Sequence, residues 1–263
     1  MATRRRFLTS AALAAAAASV PLSVSAPARA QARKRTYVLV HGAWHGGWCW
    51  GRVAPMLRAK GHEVYTPTLT GLGDRAHLAR PDIDLDTHIK DVVATMEMEG
   101  ALDVVLVGHS YAGAVISGVA DRVPSRIVSM VYLDAYVLEN GKSLVDYVPA
   151  ERREGFVKSG EAEGFKPFPA AAFGVTDPSD AAWVGSRLVN QPFRTFTQPL
   201  RLAGPPPKVS HTYIACTQPA MGPFTPIAAA LRKSPAWKVV ELKTGHDAMV
   251  MQPRQLTNLL LRA

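Results

Sequence analysis

The sequence predicts an α/β fold, a mostly parallel central sheet with helices on both faces. Three observations carry that expectation. Short, β-rich apolar runs alternate with helical patterns from residue 36 onward, the rhythm of strands joined by right-handed crossovers. One run, Val105-Leu106-Val107, drives into Gly108-His109-Ser110-Tyr111-Ala112-Gly113, a Gly-x-Ser-x-Ala turn followed by a small-residue helix pattern. The chain is 263 residues long and 48% apolar, enough to fill a sizeable core.

Each element follows from its local pattern. Residues 36–40 read as a strand ending in His41-Gly42, and 47–60 as a helix in which Pro55 is an irregularity and Gly61 a stop. A second strand spans 62–68. Residues 86–99 form an amphipathic helix with Ile89, Val92, Val93 and Met96 on one face and Gly100 as its stop. The strand 103–107 precedes the serine turn and the helix 111–121 follows it. Strands at 129–133, 212–216 and 238–242 come next, the last two separated by a helix at 226–233, and a helix at 253–262 ends the chain. Residues 140–207 break the rhythm. They are rich in Pro, Gly, Phe and Ala, and leave through Gly204-Pro205-Pro206-Pro207. An insertion there reads as a cap over the mouth of the site or as an ordinary packed subdomain. The core is expected over 31–139 and 208–263.

Residues 1–30 read as a targeting segment. Thr3-Arg4-Arg5-Arg6-Phe7-Leu8-Thr9 looks like a twin-arginine export signal, followed by an alanine-rich stretch and Ala28-Arg29-Ala30 before Gln31. A membrane anchor is the alternative. It is disfavoured because Ala and Ser supply little transfer energy and Pro21 interrupts the run, so the mature form is expected to have no stable span and a periplasmic or secreted location. Removing the segment takes the formal net charge from +9 to +5. That balance carries no nucleic-acid footprint and leaves a weak bias toward anionic substrates or surfaces. Cys49 and Cys216 read as two free core thiols. Scattered histidines and two cysteines lack metal-ligand spacing, so no metal is expected.

The chemistry centres on Ser110. A serine hydroxyl needs a base to take its proton, and that base needs an orienting carboxylate. Gly245-His246-Asp247 follows the last expected strand, which places His246 as the base. His41 and His109 lie beside the site and read as structural or wall residues. Negative charge developing on a substrate oxygen needs two backbone N–H groups. Tyr111, after the serine, supplies one. Ala43, in the loop His41-Gly42-Ala43-Trp44, supplies the other. Gly71-Leu72-Gly73 is no nucleotide fingerprint, since no third glycine follows at the right spacing. Of the aromatic residues, Trp44, Trp183 and Phe193 are candidates to hold a substrate, with plain core packing the alternative for each.

The runs from Tyr37 to Trp48, from Gly108 to Gly113 and Gly245-His246-Asp247 resemble the α/β-hydrolase superfamily. Thr68-Leu69-Thr70-Gly71-Leu72-Gly73-Asp74-Arg75 adds to the match. The nearest branch holds plant methyl salicylate and methyl jasmonate esterases, hydroxynitrile lyases and bacterial esterase-like relatives. The resemblance implies a carboxylic-ester hydrolase acting through an acyl-enzyme on a small-molecule ester, with no cofactor, and leaves the oligomeric state open. One departure matters. The plant enzymes carry their acid shortly after the strand that is here 212–216, where this chain reads Thr217-Gln218-Pro219-Ala220-Met221-Gly222-Pro223. The superfamily's alternative is an acid ending the strand after the nucleophile helix. Met130-Val131-Tyr132-Leu133-Asp134 places Asp134 there, with Asp247 as runner-up. Two other functions stay open: a hydroxynitrile lyase, although the lysine such lyases carry after the histidine is missing, and a non-catalytic ligand-binding homologue.

Overall fold

The computed structural model describes residues 34–263, so the export signal expected over 1–30 lies outside the described residues. Strand β1 (Thr36–Val40) is apolar apart from its first residue and buried throughout, as a strand covered on both faces must be. The helix expected over 47–60 is two pieces. A 3-10 segment runs from Gly47 to Arg52 and α1 covers Ala54–Arg58. Pro55 explains the break: it has no N–H to continue the helical ladder but is well suited to a helix's first turn. β2 (Glu63–Tyr65) pairs only with β1 and is shorter than the expected 62–68. Pro67 cannot donate to a ladder, and the chain leaves the sheet edge before it.

After a 3-10 segment at Gly73–Leu78, α2 (Leu85–Met98) begins at Asp84, whose carboxylate accepts the Thr87 N–H at 2.9 Å. It buries Leu85, Ile89, Val92 and Met96, the expected face apart from half-buried Val93. β3 (Val104–His109), α3 (Ala112–Arg122) and β4 (Ile127–Leu133) follow. The insertion after β4 contains 3-10 segments at Leu144–Tyr147 and Ala170–Phe173 and three helices, α4 (Ala150–Gly160), α5 (Pro178–Gly185) and α6 (Phe193–Thr197). Stacked rings help hold it together: Phe165 lies against Phe156 at 4.7 Å and Phe196 at 4.9 Å between centroids. Then come β5 (Ser210–Cys216), α7 (Phe224–Leu231), β6 (Trp237–Leu242), α8 (Ala248–Met251) and α9 (Pro253–Leu260).

The six strands are all parallel in the order β2-β1-β3-β4-β5-β6. The chain winds outward from β1 to β2, then returns to β3 and winds the other way. A crevice opens at the carboxyl ends of β1 and β3, where the loops diverge. Val40 pairs with Gly108 and His109 with Leu133, so the segments after β1, β3 and β4 leave the sheet side by side. Cys49 and Cys216 are buried and unpaired, as expected. Among the described residues no helix is long and apolar enough to cross a membrane.

Several histidines are packed into this core. His41 donates from Nδ1 to Gly42 O at 2.8 Å and accepts the Leu69 N–H on Nε2 at 3.0 Å. His88 bonds Thr70 O and the Tyr111 hydroxyl. Burial pushes His41 down to about 3 and His88 to about 4, and holds His109 well below the ordinary value of 6.5. At these three rings the unfolded chain therefore binds more protons than the folded one below about pH 6.5, against which His45, whose proton affinity is raised on folding, offsets at most one ring. Stability should fall with pH through that window, by up to about 1.4 kcal/mol per pH unit for each such histidine. Thermal melts followed by circular dichroism should give a clearly lower Tm at pH 5 than at pH 7.5; an equal or higher Tm would contradict the neutral state of these rings.

Candidate active site

Three non-glycine residues with positive φ stand at the carboxyl end of the sheet: Trp44 (φ 65°) after β1, Ser110 (φ 55°) after β3 and Asp134 (φ 41°) after β4. Non-glycine residues rarely adopt this conformation, and where they do the surrounding structure must hold them. At Ser110 it does. The Ser110 N–H donates to Leu133 O at 3.1 Å, and Ser110 O accepts the N–H groups of Gly113 at 3.1 Å and Tyr136 at 3.0 Å. Two glycines allow this crowding. A Cβ on Gly113 would sit 1.9 Å from Tyr136 O, and one on Gly42 would sit 2.8 Å from His109 Nδ1 and 3.0 Å from Ser110 Cβ.

Asp134 and His246 are bonded. His246 Nδ1 lies 2.7 Å from Asp134 Oδ2, with both side chains almost wholly buried. Asp134 Oδ1 accepts the Cys216 N–H at 3.1 Å, and the Asp134 N–H donates to Ile214 O at 2.8 Å. Both carboxylate oxygens are thus satisfied, the condition for burying such a group at the end of an apolar strand. With the proton on Nδ1 facing Asp134, a neutral His246 presents Nε2 as its acceptor. Phe224 stacks on the imidazole at 4.7 Å and 9°.

Ser110 and His246 share the wall of a cavity of about 280 Å³ with Ala43 and Tyr111. Among the described residues the Ser110 hydroxyl has no hydrogen-bond partner, and the N–H groups of Ala43 and Tyr111 have no acceptor. The rest of the wall is mostly apolar, with Phe156, Phe168, Phe173 and Phe196 from the insertion and Met221 from the segment after β5. Among the described residues Arg152 is the one lysine or arginine in the wall.

The structure separates the expected residues into two groups. Ser110, His246, Ala43, Tyr111 and Trp44 line the cavity, and Asp134 lies behind His246. Trp44 is fixed by its N–H to Gln191 Oε1 at 3.0 Å and its indole N–H to Phe165 O at 2.9 Å. Trp183 and Phe193, also expected as substrate contacts, are not in this wall. Trp183 packs edge-on against Trp48 beneath the guanidinium groups of Arg52 and Arg187, and Phe193 stacks on Phe165 inside the insertion. Asp247 does not bond His246; it faces His45. Phe196, an aromatic of the expected cap, is in the wall; Phe156, Phe168 and Phe173 went unread because composition says that rings are present, not which way they point.

A parallel sheet, a strained serine between strand and helix, and a buried His–Asp pair across the crevice define the α/β-hydrolase class. The alpha/beta hydrolase family model matches residues 37–258. A carbendazim hydrolyzing esterase from Nocardioides sp. (strain SG-4G) is 44% identical over 238 residues, covering 86% of this chain and 98% of that protein. Methylesterase 9 of Arabidopsis thaliana is 27% identical over 255 residues, 87% of this chain and 97% of that protein. The solved structure of an extracellular alpha/beta-hydrolase from a Paenibacillus species superposes with a TM-score of 0.76 at 26% identity, covering 87% and 98% of the two chains. The chain belongs to the alpha/beta hydrolase family. Within it, this chain is an ester hydrolase.

The Gly42 contact yields a test. Gly42→Ala should push the loop away from His109 and Ser110 and lower kcat/KM on a p-nitrophenyl ester by roughly 100-fold, the scale of an ångström's misplacement. Unchanged far-ultraviolet circular dichroism would show that the fold survives; near-normal kcat/KM would show that the close approach is dispensable.

Proposed function

We propose that Ser110, His246 and Asp134 act as a catalytic triad for ester hydrolysis through an acyl-enzyme. The observation that carries this reading is the 2.7 Å His246–Asp134 bond behind a wall that His246 shares with Ser110. Ser110 Oγ attacks the substrate carbonyl carbon as His246 Nε2 takes the hydroxyl proton. Asp134 holds the imidazole in the tautomer that can do this and balances the charge that forms. The Ala43 and Tyr111 N–H groups stabilise the oxyanion. Collapse expels the alcohol with the proton from His246. Water then attacks the acyl carbon with the same base assistance, and the acid leaves with Ser110 restored.

The cavity supports a compact, largely apolar substrate with a ring. Its walls are phenylalanine-rich and its volume of about 280 Å³ suits a small aryl ester or carbamate. The relatives include enzymes named for hydrolysing carbendazim and pyrethroids, and methylesterases. Aryl esters and carbamates with a small alkoxy group are the substrates we assign. Residues 140–207 act as the cap, since they contribute much of the apolar wall. The segment 1–30 acts as a twin-arginine export signal on the strength of its Arg4-Arg5-Arg6 run and Ala28-Arg29-Ala30 motif, which places the mature protein in the periplasm or outside the cell.

Asp134→Asn should keep the fold and lower kcat by about four orders of magnitude, because the imidazole loses its tautomer lock. Ser110→Ala should abolish both turnover and labelling by a fluorophosphonate probe. Turnover near wild type in Asp134→Asn alongside an inactive Asp247→Asn would reassign the acid. For the export signal, replacing Arg4 and Arg5 by lysine should leave the protein in the cytoplasm on cell fractionation; unaltered export would remove that assignment.

A further inference from the structure

A second buried histidine–carboxylate pair lies behind the proposed triad. His45 Nε2 is 3.1 Å from Asp247 Oδ2, and His45 Nδ1 is 2.7 Å from Ala43 O. His45 is 1% exposed and Asp247 0%. A carbonyl oxygen and an ionised carboxylate have no hydrogen to give, so with Asp247 ionised both ring nitrogens must donate and the ring is an imidazolium. Asp247 Oδ1 has no hydrogen-bond partner among the described residues, and its nearest cationic candidate is His109 Nε2 at 3.9 Å. That nitrogen is engaged by His246 O at 3.1 Å. Asp247 therefore depends on His45 for its compensation, since an unpaired buried carboxylate is costly.

The placement of the pair is what gives it a role. Ala43 sits between two peptide groups. The one carrying its N–H is held by His41, which donates to Gly42 O at 2.8 Å. The one carrying its carbonyl is held by His45 at one end and by Gln191, which accepts the Trp44 N–H, at the other. That second peptide leads into the positive φ of Trp44, a conformation that needs outside support. Asp247 is the residue after His246, and the two side chains point to different partners, Asp134 and His45. One short turn thus ties the proposed base to the proposed oxyanion loop.

We propose that His45 and Asp247 form an imidazolium–carboxylate pair that positions the Ala43 peptide against His246 for the reaction. His45 is a positioning residue: it acts through Ala43 and is absent from the cavity wall. Burial opposes its charge, yet Asp247 and the Ala43 carbonyl together raise its proton affinity above the ordinary histidine value. Of the other titratable groups around the pair, burial holds His41 and His109 as neutral rings and Cys49 and Cys216 as thiols, and the neighbouring Asp134 carboxylate is bonded to His246. The role rests on the triad reading given above.

The mature protein provides the test. In ¹⁵N,¹³C-labelled wild type at about pH 7.5, a unit above the usual histidine value, the His45 ring, assigned through bonds from its own backbone resonances, should show two protonated nitrogens. Asp247→Asn and His45→Gln should each lower kcat on p-nitrophenyl acetate about ten- to hundredfold, less than deleting an oxyanion donor outright, with KM within about twofold. The double variant should be no worse than the poorer single one, because both break the same link. A singly protonated His45 ring, wild-type kcat in Asp247→Asn, or losses that multiply in the double variant would each overturn the proposal. The wild-type spectrum decides it if the variants fail to fold. Ser110→Ala separates the two readings: retained activity there removes the triad, whereas an inactive Ser110→Ala beside a fully active Asp247→Asn removes the positioning role alone.

Discussion

The bond between Asp134 and His246 joins residues 112 positions apart, and much of the site's architecture exists to make it possible. A carboxylate this deeply buried is tolerable only with both oxygens occupied, and Asp134 achieves that with one imidazole and one β5 amide. The positive φ that aims its side chain is held by a backbone bond to Ile214 on the neighbouring strand. The histidine must arrive from beyond β6, the far edge of the sheet. Strand order, the turn at the end of β4 and the loop after β6 are therefore coupled through this contact. Losing either partner would leave the other buried and uncompensated.

Around that contact the fold uses one side-chain type in different electrical states. His41 and His88 are neutral struts whose two nitrogens are divided between a donor and an acceptor role. His45 faces acceptors on both sides and favours the charged form. His246 keeps one nitrogen committed to a carboxylate and presents the other to the cavity. None of these states follows from the residue's identity. Each is imposed by the groups placed against the ring.

The parts of the fold legible in the sequence are those with local causes. Apolar runs marked the strands, the Gly108–Gly113 stretch marked the tight turn at the serine, and the histidine after the last strand followed from chain order. Pro55 was visible as an irregularity, but whether it would bend or split the helix depended on the 3-10 segment before it. The insertion helices were not legible because ring stacking from separate segments supports them, and such contacts leave no periodic trace. Trp183 and Phe193 were picked for their chemistry, and tertiary packing turned them elsewhere. Asp247 looked like a spare acid beside His246; its partner at position 45 lies 202 residues away, beyond the reach of any local pattern.

More than half of the residues lining the cavity come from the single stretch between β4 and β5, while Ser110, His246 and Ala43 come from loops at the ends of strands. Under the proposed mechanism, recognition and bond-breaking are therefore inherited on largely separate lengths of chain. Drift within the insertion can reshape what the enzyme admits without disturbing the groups that react. A lineage with this layout can take up a new compound, including one never met before, by altering a contiguous run of codons.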